Sequence, residues 1–322
     1  MTRSLTSLTY LLILLLSAAP ALAADSPARP GAKPGSKAQA GDPVTQTSAS
    51  APTSSEASAD SAGANDKAAN PPVAQADQAD DPDLDVNIAQ PDFMLAALPT
   101  TLRLPRHTMA FRLTHRFNQP LEDSGIEDLF GMDSGALIGF EFRYGVFSGA
   151  QVGFYRTSDR TIQFFTQYDI AQQGRRLPFG VAAYASVEGT NNFQDSYSPG
   201  IGAIVSRELG KRAAVYVEPF WANNTNTLPA EVVDDNSTMI LGLGVRLRVL
   251  KATYVVAEVA PRIGGYAPGT THAAFGIEKR AGGHLFQLTF ANNPGTTLAN
   301  VARGGPNGNN WYLGFNLSRK FY

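Results

Sequence analysis

Four histidines, His107, His115, His272 and His284, are the side chains of this chain best suited to move protons or bind a metal near neutral pH. A metal centre needs ligands whose spacing lets them converge on one ion. His107 and His115 share a strand parity but stand eight residues apart, too far for one ion, and no carboxylate clusters with any of the four. There is no cysteine, which excludes disulfides, thiolate metal sites, a cysteine nucleophile and a lipid-modified N-terminal cysteine. Serines are plentiful, but no G-x-S-x-G elbow is present. Asp234-Asp235-Asn236 could offer oxygens to a hard cation, although an acidic external turn accounts for them better. Gly242-Leu243-Gly244 lies inside an alternating segment without a following helix, so it is no phosphate loop; its use would be to make room or ease curvature. The reading is a chain with no catalytic, cofactor-binding or metal-binding residues, and not an enzyme.

The elements that carry these residues fall into three parts. Residues 1–23 have the form of a secretory signal: Arg3, an apolar run from Leu8 to Leu16, and Ala21-Leu22-Ala23 at the cleavage position. Residues 24–100 are rich in Ala, Asp, Ser and Pro and carry 11 acids against 4 bases, net −7. With almost no large apolar residue before 88, they cannot offset the entropy of ordering, which predicts a disordered periplasmic linker. The stretch from Ile88 to Leu98 regains apolar character and reads as a short helix or plug ahead of the next part. Residues 101–322 carry 17 acids and 21 bases, net +4, too few and too scattered to suggest nucleic acid.

From Pro105 the sequence takes a period of two. Ala136, Ile138, Phe140, Phe142 and Tyr144 share one face, with Gly139, Glu141 and Arg143 on the other. Met239 to Val249 and Leu313 to Ser318 repeat the pattern. Such alternation places one side of a strand in an apolar medium and the other in a polar one. Twelve segments follow it: 106–117, 135–145, 149–157, 161–171, 177–188, 196–207, 212–222, 238–249, 252–262, 271–280, 284–292 and 309–322, of which 149–157 and 196–207 are the weakest. Odd-numbered gaps between them are long and even-numbered ones short, apart from the third. Outer-membrane barrels sort their connections this way, with tight periplasmic turns and long external loops, whereas soluble sandwiches have no reason to. The expectation is an all-β fold, a 12-stranded antiparallel up-and-down transmembrane barrel whose two ends lie in the periplasm. Tyr144, Tyr168, Trp221, Trp311 and Phe321 fall near strand ends, where interfacial girdles place aromatics.

The polar parity then names the interior: Arg112, Arg116, Glu141, Arg143, Gln163, Gln167, Asp169, Glu188, Glu218, Arg246, Arg248, Glu258, Glu278, Gln287 and Lys320. Six acids face six bases, and buried charges must be paired or hydrated, which predicts an ion-pair network across the lumen.

Four motifs occur in order: Leu104-Pro-Arg-His-Thr-Met-Ala-Phe-Arg-Leu-Thr-His-Arg-Phe117, Leu129-Phe-Gly-Met-Asp-Ser-Gly135, Gly282-Gly-His-Leu-Phe-Gln-Leu288 and Tyr312-Leu-Gly-Phe-Asn-Leu-Ser-Arg319. From Leu104 onward the chain resembles a family of bacterial β-barrel proteins classed only as a domain of unknown function. The resemblance implies an outer-membrane barrel of unassigned activity and supplies no catalytic residue. Barrels of this kind end in an aromatic residue on the apolar parity; here that parity ends at Phe321, with Tyr322 one beyond.

Three functions fit the pattern. A narrow pore or binding barrel for small polar solutes requires a hydrated path between the rows holding Arg143 and Arg246. A non-conducting structural or scaffold barrel requires a closed network, with partners met through the linker or the long loops. A membrane-embedded hydrolase requires a Ser or Asp within hydrogen-bond reach of a histidine. All three place the protein in the outer membrane of a bacterial cell, in contact with its lipid; residues 24–100 read either as a spacer without specific binding, which the composition favours, or as a tether to a periplasmic partner. The pattern sets no oligomeric state.

Overall fold

The computed structural model describes residues 87–175, 177–226, 236–306 and 310–321, all within the compact unit Asn70–Tyr322. The expected signal segment, the linker as far as residue 86, Asp234, Asp235 and Tyr322 lie outside the described residues.

The sheet consists of β1 (Met109–Phe117), β2 (Ala136–Phe147), β3 (Ala150–Thr157), β4 (Ile162–Ala171), β5 (Gly180–Gly189), β6 (Asp195–Leu209), β7 (Ala213–Asn223), β8 (Ser237–Leu250), β9 (Thr253–Ala260), β10 (Arg262–Gly265), β11 (His272–Ala281), β12 (His284–Ala291) and β13 (Tyr312–Phe321). Each pairs antiparallel with its neighbours. The first and last strands pair from Met109↔Phe321 to Arg116↔Gly314, which closes the ring. β9 and β10 both pair with β8 and flank Pro261, which has no N–H to give; they are one stave broken by proline, so the barrel has twelve staves. Closure leaves no sheet edge, the condition for strands to cross a membrane.

The alternation read from sequence is the alternation observed. Phe140, Phe142, Tyr144, Phe164, Phe275, Phe286 and Phe315 are exposed on the outer wall. Glu141, Arg143, Gln163, Gln167, Arg246 and Gln287, on the opposite parity, are buried within. The two weakest expected segments are full staves, β6 being the longest at 15 residues. Tight turns join β2 to β3, β6 to β7, β8 to β9 and β11 to β12, so one end of the barrel is trimmed close. The other end carries the long connections, including a short helical turn at Leu298–Arg303.

One expectation is corrected. The linker was to run to residue 100, but Asn87 to Leu104 are folded, and Ala89 to Thr100 are buried inside the barrel. The reason is composition: Phe93, Met94, Leu95, Leu98, Leu102 and Leu104 bring the apolar surface that residues 24–86 lack. This segment forms a finger. Asn87 and Gln90 both donate to Glu208 Oε1 at 2.6 Å, at the tight-turn end. The Leu95 N–H meets the Leu98 carbonyl at 2.7 Å to close a turn, and Thr100 N–H returns to Phe93 O at 2.8 Å. Arg103 then pairs with Asp169 at 2.6 Å, back at the tight-turn end, before β1 begins. The finger makes a backbone bridge to itself, Met94↔Pro99, and none to a barrel strand among the described residues.

From the opposite end the last long connection folds inward. Thr297 caps its helical turn by accepting from Asn300 N, and Leu298, Ala299, Val301 and Ala302 are buried. Leu95 and Leu98 of the finger join Leu298, Val301 and Ala302 in one apolar cluster with Tyr155, Phe165, Tyr184, Tyr216, Phe220 and Ile240 from the wall.

Candidate functional site

The lumen is the site, and the finger's main chain is what its polar side chains address. At the tip of the finger three consecutive N–H groups point at one carboxylate on β9: Ala96 and Leu98 reach Glu258 Oε2 at 2.9 and 3.1 Å, and Ala97 reaches Oε1 at 2.8 Å. His272 Nε2 lies 2.9 Å from the same Oε1 and helps to hold the carboxylate. A turn cannot satisfy these N–H groups itself, and an ionised acceptor makes the stronger kind of hydrogen bond.

The carbonyls are taken by cations and amides. Arg112 donates to Ala96 O at 2.8 Å and Leu95 O at 3.3 Å, and Arg116 to Ala96 O at 3.3 Å. Gln287 reaches Leu95 O at 3.2 Å, Gln167 Thr100 O at 3.0 Å and Gln151 Leu102 O at 3.1 Å. Arg246 holds Glu278 in a two-pronged pair, both contacts 2.8 Å, and spends its remaining donors on Met94 O at 2.6 Å and Asp92 O at 3.4 Å. Both members of that pair are fully buried.

Met94 stands where the hydrated path was expected. Its sulfur takes Arg143 Nη2 at 3.0 Å while its carbonyl takes Arg246, so the two rows meet through the finger. Arg143 also pairs with Glu141 and lies over the rings of Phe93 and Phe165, 5.2 and 4.6 Å from their centroids. Lys320 also lies over the Phe93 ring, 5.4 Å from its centroid. Cavities that border the finger are small: one beside Asp92 and Phe93 and another beside Met94, Pro99 and Gln163 are each about 10 Å³. That is at most one water apiece. A hollow of about 690 Å³, lined by Phe142, Tyr144, Val152, Phe154 and Phe164, lies on the outer apolar face of β2 to β5.

The remaining expected interior residues sit apart from the finger's main chain. Asp169 anchors the finger's exit through Arg103. Glu188 faces Arg303 of the inward loop at 3.9 Å. Glu218 is fully buried near Leu98 and Gly242, and among the described residues neither carboxylate oxygen has a hydrogen-bond partner. Arg248 is turned away, half-buried, donating to Lys251 O at the β8–β9 turn, 2.7 and 3.1 Å. A guanidinium one turn from the rim reaches the turn carbonyl more easily than the lumen.

Sequence reasoning missed the aromatic share of the interior. Tyr155, Phe165, Tyr184, Tyr216 and Phe220 occupy the same parity as the charges and are buried. It also missed Gln151, on a segment read as weak. Gly242 and Gly244 do make room: a Cβ at 244 would stand 2.2 Å from Leu95 Cδ1, and one at 242 would stand 3.1 Å from Leu98 Cδ1. The glycines are seats for the two leucines at the finger's tip, Leu95 and Leu98.

The histidines are distributed over other work. His107 contacts Tyr144 and Arg106, His115 stacks on Phe315 at 4.6 Å, and His284 meets Gly282 O and Arg319. Among the described residues none of the four is hydrogen-bonded to a serine or an aspartate.

Fold and lumen together define a membrane-bound β-barrel filled by its own chain. The chain belongs to the membrane bound beta barrel domain family DUF5777, which matches residues 92–321. The match begins inside the finger, at Asp92, rather than at Leu104 where the sequence resemblance begins. Comparison with curated proteins finds no match. Among solved structures, the chain is similar to a mutant of the Rh. blastica porin (15% identity over 57% of this chain and 55% of that one, TM-score 0.32). It is similar to outer membrane phospholipase A from Escherichia coli (13% identity, 67% and 91%, TM-score 0.41). A third is an outer membrane protein of Acinetobacter baumannii (10% identity, 67% and 98%, TM-score 0.38). The chain thus spans about half the length of the porin it matches.

Proposed function

We propose that this protein is a self-sealed barrel of the bacterial outer membrane, non-conducting in the described state, that holds its N-terminal segment at the periplasmic face and its long loops at the cell surface. The observation that carries the reading is Met94, bridged to Arg143 on one wall and Arg246 on the other, where a pore would need water. The charge balance of the interior supports it. Six of the expected lumen residues, Arg112, Arg116, Gln167, Arg246, Glu258 and Gln287, satisfy finger backbone rather than line a passage. Polar groups in a lumen are often taken as the mark of an aqueous channel; here they are what a buried finger of irregular backbone requires. In this role the barrel meets outer-membrane lipid, and the stretch before residue 87 serves as a tether to a periplasmic partner.

Planar-bilayer recording of the folded full-length protein tests the reading. The expected trace is flat at all holding potentials. Discrete ohmic steps from protein free of contaminating porin would sink it in favour of a narrow pore.

A further inference from the structure

We propose that the barrel interior is a peptide-binding site that reads the main chain of a tight, small-residue turn, and that the finger is its resident ligand in cis. The inference rests on the sealed-barrel reading above and goes beyond it: it assigns the lumen a ligand class, a peptide turn.

The contacts have the form of ligand recognition. Glu258 receives the N–H groups of Ala96, Ala97 and Leu98. Side chains on five other strands take the carbonyls of Asp92, Met94, Leu95, Ala96, Thr100 and Leu102. Such a set reads the main chain of the turn, and the leucine seats at the tip fix which side chains the turn presents. A size limit is visible at Gly244, which admits Leu95 because it lacks a Cβ, and Gly242 leaves Leu98 little room to spare. Ala96 is buried in a cluster of small residues with Ala274 and Ala291.

The finger is also built to be separable. It contributes no strand to the barrel, which closes through β1 and β13 without it. Both its ends emerge at the tight-turn end, Asn87 beside Glu208 and Arg103 beside Asp169. Its removal therefore needs no threading past a strand. The inward loop around Leu298–Arg303 enters from the far end, so removal of the finger leaves a blind cavity open at one mouth rather than a through-pore. A chain presenting a turn such as Leu-Ala-Ala-Leu, from a partner or from a second copy, meets the same donors and acceptors in that cavity.

The test uses the full chain, folded first. A protease site is placed at the exposed Pro105-Arg106-His107 junction, and the finger is severed from the barrel after folding. The probe is a fluorescent synthetic peptide of residues 87–104, with a scrambled peptide as control. The expected result is that the severed fragment stays bound, then exchanges with the probe and not with the scrambled peptide. With Glu258→Ala the probe should bind about tenfold more weakly or worse, the loss expected when several hydrogen bonds to a charged acceptor disappear. A severed barrel that keeps its folded gel mobility yet takes up no probe overturns the inference. So does a barrel that unfolds on cleavage, since the finger would then be part of the fold and not a ligand. Bilayer recording of the uncut protein separates the two claims: current steps there refute the sealed reading, whereas silence with no probe uptake refutes only this one.

Discussion

At the scale of single residues the interior is governed by the cost of burying polar groups. Arg246 and Glu278 are both without solvent contact and are made tolerable by two hydrogen bonds to each other and by the carbonyls of Asp92 and Met94. Breaking such a pair from one side leaves an uncompensated buried charge, worth about 3–5 kcal/mol, whereas replacing both members with apolar residues of similar size is close to neutral. Arg246→Met should therefore lower the urea midpoint of the folded barrel sharply, and Arg246→Met with Glu278→Leu should recover most of the loss. A double variant no better than the single one would show that Arg246 acts through the finger carbonyls alone. That Arg246 and Glu278 face inward was legible from parity. That they face each other was not, because strands eight and eleven are brought within reach only by the ninth stave between them.

At the scale of elements the twelve staves were legible because a strand's environment is written locally. Every second residue meets lipid or lumen, so a few residues of Ala136 to Tyr144 suffice. The break at Pro261 escaped the pattern, since alternation of side chains says nothing about a missing N–H. The finger was half-legible. Ile88 to Leu98 stood out as apolar, but its backbone is irregular, bonded to side chains from six strands, five of them distant in sequence, and no local period encodes that. Gly242 and Gly244 held the clearest hint, two absent side chains on an interior face. Gly244→Val puts a branched side chain where Leu95 sits, an overpacking of the kind that costs about 1–3 kcal/mol. The finger should lift while the barrel remains closed. Hydrogen exchange at Ala96, Ala97 and Leu98 then becomes fast, with β1 and β13 amides still protected; equal protection in variant and wild type would mean that the seat is not tight.

At the scale of the whole molecule, a balanced set of six acids and six bases was compatible with a wet passage or a closed network. The structure fills the space with chain instead. The discriminating signal was present in the sequence as aromatics on the polar parity. Tyr216 and Phe220 flank Glu218, and Phe165 lies between Gln163 and Gln167, a mixture suited to a packed core and not to water. Reading it required knowing that Leu95, Leu98, Leu298 and Val301 arrive from two ends of the barrel to meet those rings. The absence of cysteine makes the central claim directly measurable. A single cysteine introduced by Ala97→Cys, compared with one introduced by Arg106→Cys, is exposed to a water-soluble maleimide in the folded full-length protein. A barrel sealed by its finger predicts rapid labelling at 106 and almost none at 97 until the protein is unfolded. Equal rates at the two positions in the folded protein would contradict it.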